Sequence, residues 1–218
     1  TIEDDVATIL MDDGKANAIS HAMLDALNEG LDKAEADAKA IVLAGRDSRF
    51  SGGFDLKVMM EAKSGEEVVA LVKRGGELAY RLYSSKLPVI AACTGHAVAM
   101  GAFILLSCDT RIGASGPFKL GANETAINMV LPPFAHLLTL ERLAPTLKTR
   151  AVIQAELFNP EMAVQAGYLD QVVAPEAVLP TAQALAKQMT QFPPAYAGNK
   201  KQLRGETLKA MRASLDAA

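Results

Sequence analysis

The stretch that decides the fold is Gly95-His-Ala-Val-Ala-Met-Gly-Ala-Phe-Ile-Leu-Leu-Ser-Cys-Asp109, which follows the apolar run Pro88–Cys93. The apolar run predicts a buried strand that ends in a turn at Thr94-Gly95, and the residues from about Met100 onward predict a helix. The first turn of a helix leaves backbone N–H groups without internal acceptors, and its positive end suits an anion or a developing oxyanion. A core strand and a core helix joined by a tight turn would give the same pattern, so this stretch alone leaves both interpretations open.

Composition limits the classes of protein to consider. The chain has 218 residues, half of them hydrophobic, which is enough for one large domain or for one domain with a small appendage. Its net charge is −3 and its basic residues are scattered, which argues against a surface for nucleic acid or for an anionic membrane. One segment without formal charge, 87–108, has the length of a membrane span, but Pro88 and Thr94-Gly95 interrupt it. We therefore expect no nucleic-acid partner and no membrane partner.

The cysteines and histidines show no metal or disulfide pattern. Cys93 and Cys108 both lie in apolar runs, and the sequence contains no Cys-x-x-Cys. This pattern is typical of free, buried thiols in a reducing compartment, so a cytoplasmic location is expected. His21, His96 and His136 lie on separate predicted elements without the spacing of metal ligands, so we expect no metal site.

Strands and helices alternate along most of the chain, which predicts an α/β fold. Short apolar runs predict strands at 6–11, 40–44, 88–93, 110–114 and 169–173. Apolar residues at helical spacing predict helices at about 21–38, 66–84, from 100, and at 134–143, 146–156, 160–166, 175–191 and 198–215. The helical end of the chain suggests a region for docking or oligomerisation.

Three features carry candidate chemistry. Glycines in Ser51-Gly-Gly-Phe-Asp55 permit positive φ and close approach by a ligand, although a plain loop before an Asp-capped helix would look the same. The turn at Gly95–Gly101 offers free N–H groups. Glu124 is an acid flanked by small and apolar residues, and a carboxylate in the first turn of a helix would share this pattern with a catalytic one.

The order of these features resembles the crotonase superfamily, the enoyl-CoA hydratases and isomerases. The similarity covers essentially the whole chain, through the motifs Gly14–Ile19, Phe50–Leu56, Gly95–Asp109 and Ala163–Leu169. It implies a core built as a spiral of ββα turns over residues 1–173, which binds acyl-CoA, and a helical C-terminal oligomerisation region over 174–218. A homotrimer or a dimer of trimers is the assembly that the resemblance implies.

The resemblance also implies roles for particular residues. The backbone amides of Phe54 and Met100 would form an oxyanion hole for the thioester carbonyl oxygen as an enolate develops. Coenzyme A would enter as part of the substrate, and no metal or redox cofactor is implied. The residues along which the coenzyme would lie are Lys15, Ala16, Ser51, Gly53 and Leu56.

The chain differs from the hydratases at the positions of the two catalytic glutamates. Hydratases use two glutamates; Phe103 matches the first position and Glu124 the second. Pro132-Pro133-Phe134 stands where hydratases carry Gly-Gly, and the run Gly121–Phe134 is similar to the Δ3,Δ2-enoyl-CoA isomerases, which work with one glutamate. A double-bond shift needs one base that takes a proton from C2 and returns it at C4, whereas two carboxylates share the work of hydration. We therefore expect an isomerase that converts 3-enoyl-CoA to 2-enoyl-CoA, with Glu124 as the sole general base and acid.

Other interpretations stay open from the sequence. Enoyl-CoA hydration, thioester hydrolysis or decarboxylation would need water or a second polar group in the pocket, and a non-catalytic acyl-CoA-binding protein could keep the fold. His96 lies in the candidate oxyanion turn and could touch a ligand, although a packed or surface imidazole is the simpler interpretation. Lys200, Lys201 and Arg204 form a basic cluster on the last helix, either a solvated face or, in a trimer, a contact for the phosphates of the coenzyme.

Overall fold

The computed structural model describes residues 1–192 and 194–218. Its strands are β1 (Ile2–Glu3), β2 (Val6–Met11), β3 (Ala40–Gly45), β4 (Ser48–Ser51), β5 (Val89–Cys93), β6 (Gly95–Val98), β7 (Thr110–Ala114), β8 (Leu120–Gly121) and β9 (Gln171–Val173). Its α-helices are α1 (His21–Asp37), α2 (Leu56–Glu61), α3 (Gly65–Ser84), α4 (Met100–Ser107), α5 (Pro133–Arg142), α6 (Pro160–Ala166), α7 (Val178–Met189) and α8 (Ala195–Asp216). Shorter helical segments are the 3₁₀ turns Glu124–Ile127, Pro145–Leu147 and Pro175–Ala177 and the π-helical Thr149–Ile153.

The main sheet contains six of the described strands, in the order β1-β2-β3-β5-β7-β9. β1 runs antiparallel to β2, and the other neighbours are parallel. Every residue of β3 and β5 is buried, because the sheet is covered on both faces. On one face Val178, Ala182 and Ala186 of α7 pack on alternate side chains of the central strands, and the main core fills the other face.

A second sheet, of β4, β6 and β8, decides where the candidate site lies. Each of its strands follows a strand of the main sheet after a short connection, so that β3 leads into β4, β5 into β6 and β7 into β8. The chain then continues into a helical segment: α2 and α3, α4, or the 3₁₀ turn Glu124–Ile127. This is the predicted ββα spiral. It places the three candidate motifs on successive turns, at the carboxyl ends of β4, β6 and β8.

The corners between the two sheets are tight. Thr94 donates its hydroxyl to the Arg46 carbonyl at 2.7 Å, which ties the β5–β6 corner to the β3–β4 corner. Gly95 lies so close to Ser48 that a Cβ would overlap the Ser48 carbonyl group. Glycine is therefore required where β4 and β6 begin side by side.

The structure corrects several predicted elements. The predictions omit β4, β6 and β8, because strands of two to four residues are too short to show a periodic pattern. The turn predicted at Thr94-Gly95 consists of Thr94 alone, since Gly95 is already the first residue of β6. The helix predicted at 146–156 is irregular and shorter than expected. That segment is a 3₁₀ turn followed by a π-helical turn that ends at Ile153, and Ala155 beyond it has φ of 53°.

The uncharged segment 87–108 forms β5, β6 and α4 instead of one long helix. In the described ranges, no helix is long and apolar enough to cross a membrane. Cys93 and Cys108, which lie in this segment, are free and buried, as the sequence predicts.

The last helix packs on its own chain, against α3 and α5. Lys200 and Arg204 are only 8% and 6% exposed, and each contacts the buried Asp109 carboxylate at 2.8 Å. The prediction of a solvated face is therefore wrong for these two residues, which anchor α8 beside the start of β7, whereas Lys201 is exposed. A contact with coenzyme phosphates in a trimer stays a prediction. The division into a core over 1–173 and an oligomerisation region over 174–218 stays a prediction.

Candidate active site

The glycine loop presents the N–H group of Phe54. Ile19 donates its N–H to the Gly53 carbonyl at 2.8 Å, and its carbonyl accepts from the Asp55 N–H at 3.1 Å. The backbone groups before and after Phe54 are therefore hydrogen-bonded on the side that faces Ile19. The Phe54 N–H faces the other side and has no acceptor among residues 1–192 and 194–218. Asp55 caps α2 by accepting from the Lys57 N–H at 2.9 Å, which is the cap that the sequence predicts.

The second turn presents the N–H group of Met100. Ala99 has φ of 52° and ψ of −122°, a conformation that residues with a Cβ rarely adopt. Its carbonyl accepts from the N–H groups of Ala102 at 2.9 Å and Phe103 at 3.2 Å, which starts α4. Met100 is the first residue of this helix, and its N–H has no acceptor within the described chain. All of α4 is buried, so the donor lies at the positive end of a helix shielded from water.

The two turns touch each other. Gly53 has φ of 95°, and a Cβ there would lie 2.9 Å from the Ala99 Cβ and 3.5 Å from the Met100 nitrogen. Glycine permits both this φ and this approach. The side chains of Phe54 and Met100 meet at one place on α3, where a Cβ on Gly75 would lie 2.7 Å from Phe54 Cε1 and 3.3 Å from Met100 Cε. The structure therefore brings together the two N–H donors of the predicted oxyanion hole.

The third turn carries Glu124 just after the end of β8. Ala99 donates its N–H to the Gly121 carbonyl at 3.0 Å, which joins the second turn to the end of β8, three residues before Glu124. Glu124 is only 6% exposed, and its Oε2 atom has no hydrogen-bond partner in the described residues. Burial raises the pKa of the Glu124 carboxyl above its ordinary value of 4.5, and its own backbone N–H opposes that rise. A raised pKa makes the carboxylate a stronger base.

A second carboxylate is absent from α4, all of which the structure describes. Phe103 is buried, with its ring edge-on to that of Phe134 at 6.2 Å between centroids. The Ser107 hydroxyl donates to the Phe103 carbonyl at 2.8 Å, and burial raises the pKa of the Cys108 thiol to about 12. Because neither side chain is an activated nucleophile, α4 contributes a backbone amide and an apolar wall.

Three of the residues expected to bind coenzyme A lie together. The Ala16 carbonyl accepts from the Gly52 N–H at 2.9 Å. The Ser51 hydroxyl donates to the Asn17 carbonyl at 2.8 Å and accepts from the Gly53 N–H at 3.2 Å. Leu56 opens α2 beside this loop, and 63% of its surface is exposed.

Asn17 holds the first loop in place, a role that the sequence reasoning missed. Its side chain is buried, donates to the Met11 carbonyl at 2.7 Å and accepts from the Asp13 N–H at 3.0 Å. Asparagine is among the residues that tolerate positive φ, and Asn17 has φ of 51°. The loop that it organises carries Lys15, the remaining residue expected at the coenzyme, on the exposed surface.

His96 lies on β6, three residues before Ala99. Its Nδ1 accepts from the Lys119 N–H at 3.1 Å, and its ring packs edge-on against Phe118 at 5.4 Å between centroids. Burial lowers the pKa of His96, and the charges of Arg49 and Lys119 lower it further. These contacts agree with the simpler interpretation, a packed imidazole. In the part of the chain that the structure describes, no three His, Cys, Asp or Glu side chains are grouped so as to hold a metal ion.

A comparison with sequence models of protein families gives one further observation. The model described as Enoyl-CoA hydratase/isomerase matches residues 1–217. This chain belongs to the enoyl-CoA hydratase/isomerase family. The family membership predicted from the order of the motifs is therefore confirmed, and with it the crotonase fold.

Members named for either reaction are similar to the chain. A probable enoyl-CoA hydratase from Bacillus subtilis is 32% identical over 193 residues, covering 87% of this chain and 74% of the relative. The mitochondrial enoyl-CoA delta isomerase 1 of Homo sapiens is 34% identical over 193 residues, covering 86% of this chain but 63% of the relative. A solved family structure from Pseudomonas syringae is 42% identical with a TM-score of 0.95, covering 100% of this chain and 94% of that one. Similarity alone thus leaves the reaction to be argued from the site.

Proposed function

We propose that this protein is an enoyl-CoA isomerase that moves the double bond of a 3-enoyl-CoA to give 2-enoyl-CoA. One observation carries the proposal. Glu124 is a buried carboxyl with one oxygen that has no hydrogen-bond partner among the described residues, in a site where α4 supplies Phe103 and no second acid. Family membership supports an acyl-CoA thioester as the substrate class. The human relative named as a delta isomerase supports the same reaction.

The proposed reaction is a proton transfer between two carbons. The N–H groups of Phe54 and Met100 donate hydrogen bonds to the thioester oxygen, and these strengthen as negative charge develops there. Glu124 takes a proton from C2, and the electron pair of that C–H bond delocalises into a dienolate. Glu124 then returns the proton at C4, which leaves the double bond between C2 and C3 and the carboxylate regenerated. Water, a metal and a redox cofactor take no part in these steps.

The surroundings of Glu124 suit this chemistry. Burial raises its pKa, so the carboxylate is a better base than an exposed glutamate, and the conjugate acid is still a ready proton donor. The buried rings of Phe103 and Phe134 form apolar surface that keeps water from the dienolate. A hydratase would instead need a polar group that activates water at C3.

Binding of the coenzyme and assembly of the protein belong to the same proposal. Contacts between the first loop and the glycine loop support coenzyme A binding along Lys15, Ala16, Ser51, Gly53 and Leu56. Exposed apolar side chains near Glu124 support a homotrimer or a dimer of trimers; they are Ile127, Val130 and Ile153, with 49%, 91% and 66% exposed. A cytoplasmic location stays a prediction, and the human relative is named as mitochondrial.

The variant Glu124→Gln tests the proposed base. A carboxamide fills the same space but cannot accept the proton, so turnover should fall by at least about 10²-fold. Acyl-CoA binding should stay within about tenfold of the wild-type value, because the substitution removes a group used in the chemical step. Near-normal turnover in this variant would contradict the assignment.

Exchange of the C2 protons of a saturated acyl-CoA with deuterated solvent separates an enzyme from a binding protein. The exchange needs a base and an oxyanion hole but no double bond. We expect the wild-type protein to catalyse it and Glu124→Gln to fail. Tight binding without exchange in the wild type would instead favour a non-catalytic acyl-CoA-binding role.

A further inference from the structure

Three cationic side chains meet around Asp109, the residue that precedes β7. Lys200 Nζ and Arg204 Nη1 each lie 2.8 Å from the Asp109 carboxylate. Arg142 donates from Nη2 to the Asp109 backbone carbonyl at 3.2 Å and to the Cys108 carbonyl at 3.1 Å. The side chains of Lys200, Arg204 and Asp109 are only 6–7% exposed. The cluster therefore holds three positive charges that are largely withdrawn from water.

One carboxylate does not balance these three charges. The Asp109 carboxylate already serves two cations, and its Oδ2 atom also accepts from the Val89 N–H at 2.8 Å. Within the described chain Arg142 forms no ion pair with a carboxylate, and its buried Nε atom has no hydrogen-bond partner. The charge of Asp170 reaches Arg142, but that carboxylate is paired with Arg111 at 2.7 Å. Because buried charges in proteins are normally paired, Arg142 is short of a counter-ion.

The electrostatics of the cluster agree with this imbalance. Burial, with the charges of Arg111 and Arg204, lowers the pKa of Arg142 to about 10. Burial also lowers the pKa of Lys200, although Asp109 opposes that effect. Arg142 still carries its charge at neutral pH. An anion beside it would raise its pKa and offset part of the cost of its burial.

A cavity of about 640 Å³ lies against this cluster. Small-molecule sites in proteins typically measure about 300–1,000 Å³, so the space suits an organic molecule and far exceeds one inorganic ion. Besides the four charged residues, its walls include Tyr196 and Leu203 of α8. Leu203 is 79% exposed, so the cavity opens to solvent. The cavity thus offers both a cation without a counter-ion and apolar surface.

This cavity is separate from the proposed reaction site. Phe54, Met100 and Glu124 are not among the described residues that line it. Met100 starts α4, whereas Asp109 follows the other end of that helix. The eight residues of α4, at about 1.5 Å each, separate its two ends by about 12 Å. An anion held at Arg142 therefore lies outside the reach of the oxyanion donors.

We propose that this cavity is a second ligand site, which binds a small organic carboxylate through Arg142. A guanidinium matches the two oxygens of a carboxylate, and Arg142 has a free Nε donor for it. A monoanion fits better than a phosphate dianion, because the Asp109 carboxylate lies beside it and already occupies the other two cations. The carbon chain of the ligand lies along Leu203 and the ring of Tyr196. This site does not depend on the role proposed for Glu124.

Isothermal titration calorimetry of the purified protein tests the site, with hexanoate as the ligand and inorganic phosphate for comparison. Titrations are run with and without saturating hexanoyl-CoA, which occupies the acyl-CoA site. We expect hexanoate to bind with a Kd below about 1 mM in the presence of hexanoyl-CoA, and inorganic phosphate to bind at least about tenfold more weakly. Hexanoate binding that disappears when hexanoyl-CoA is present, or phosphate binding that is equally tight, would overturn the proposal.

The variants Arg142→Gln, Leu203→Glu and Lys201→Gln each lower the net charge by one. Arg142 and Leu203 line the cavity, whereas Lys201 is an exposed neighbour on α8 outside the described lining. We expect the Kd of hexanoate to rise about 10–100-fold in Arg142→Gln and about tenfold in Leu203→Glu, and to stay within about twofold in Lys201→Gln. Leu203→Glu separates binding from folding, because Leu203 is exposed while Arg142 also holds the end of α4. An unchanged Kd in both cavity variants, or an equal loss in Lys201→Gln, would refute the assignment.

Discussion

Replacing Gly53 by alanine should damage catalysis far more than it damages the fold. An alanine at φ of 95° is strained by about 1–2 kcal/mol. Its Cβ would also lie 2.9 Å from the Ala99 Cβ, well inside the optimum of about 3.5–4.0 Å for two carbons. We therefore estimate a total of about 2–3 kcal/mol. The glycine loop can relieve that strain by moving away from the second turn, and this movement takes the Phe54 N–H away from the thioester oxygen.

The neighbouring Gly52 provides the control. A Cβ on Gly52 would lie 3.4 Å from the Ala16 Cβ, which is an ordinary contact, so Gly52→Ala should be tolerated. Displacement of one oxyanion donor should lower kcat by about 10²–10³-fold in Gly53→Ala. The melting temperature of that variant should fall by roughly 4–12 °C, at about 2–4 °C per kcal/mol for a chain of this size. The assay follows formation of the conjugated 2-enoyl thioester from a medium-chain 3-enoyl-CoA. Wild-type kcat in Gly53→Ala, or equal losses in the two variants, would refute the reasoning.

Three further predictions concern buried charges. Activity should be lost as the pH falls through the raised pKa of Glu124, because the base must be ionised. A pH profile of kcat/KM should therefore show an acid limb above pH 4.5. A profile that stays level down to pH 4.5 would contradict this prediction. The pKa of Glu124 is higher in the folded protein than in the unfolded chain. Its ionisation therefore lowers the free energy of unfolding at a pH above the folded-state pKa and has no effect at a pH below the unfolded-state pKa. Glu124→Gln should therefore raise the melting temperature at mildly alkaline pH but not in acid. Asp109→Asn should lower the free energy of unfolding in urea by about 3–5 kcal/mol, because Lys200 and Arg204 stay buried without their counter-ion. The kcat of the folded variant should stay near the wild-type value.

The main sheet and the longer helices could be predicted because their patterns extend over many residues. β3 and β5 are continuous apolar runs, and α3 repeats its apolar side chains over twenty residues. The second sheet could not be predicted in the same way. Its strands are short, and they exist because corners such as the Thr94–Arg46 contact turn the chain out of the main sheet. That sheet is what makes the three motifs neighbours in space.

The part of the candidate site that lies in sequence motifs could be predicted, because those motifs follow one another along the chain in a recognisable order. Glu124 and the two N–H donors follow from such motifs, whereas Asn17 acts through tertiary contacts that no local pattern shows. The burial of Lys200 has the same origin, since its carboxylate partner is 91 residues away in the chain. A charged helix face with distant partners looks like a solvated one until the fold is known.

The ratio of isomerisation to hydration by the purified protein tests the single-base mechanism most directly. One arm follows conversion of 3-enoyl-CoA to the conjugated 2-enoyl thioester, and the other follows addition of water to 2-enoyl-CoA of the same chain length. We predict isomerisation that is far faster than hydration and that disappears in Glu124→Gln. Hydration as fast as isomerisation would contradict the mechanism, because it requires a second acid–base group in a site where α4 carries Phe103.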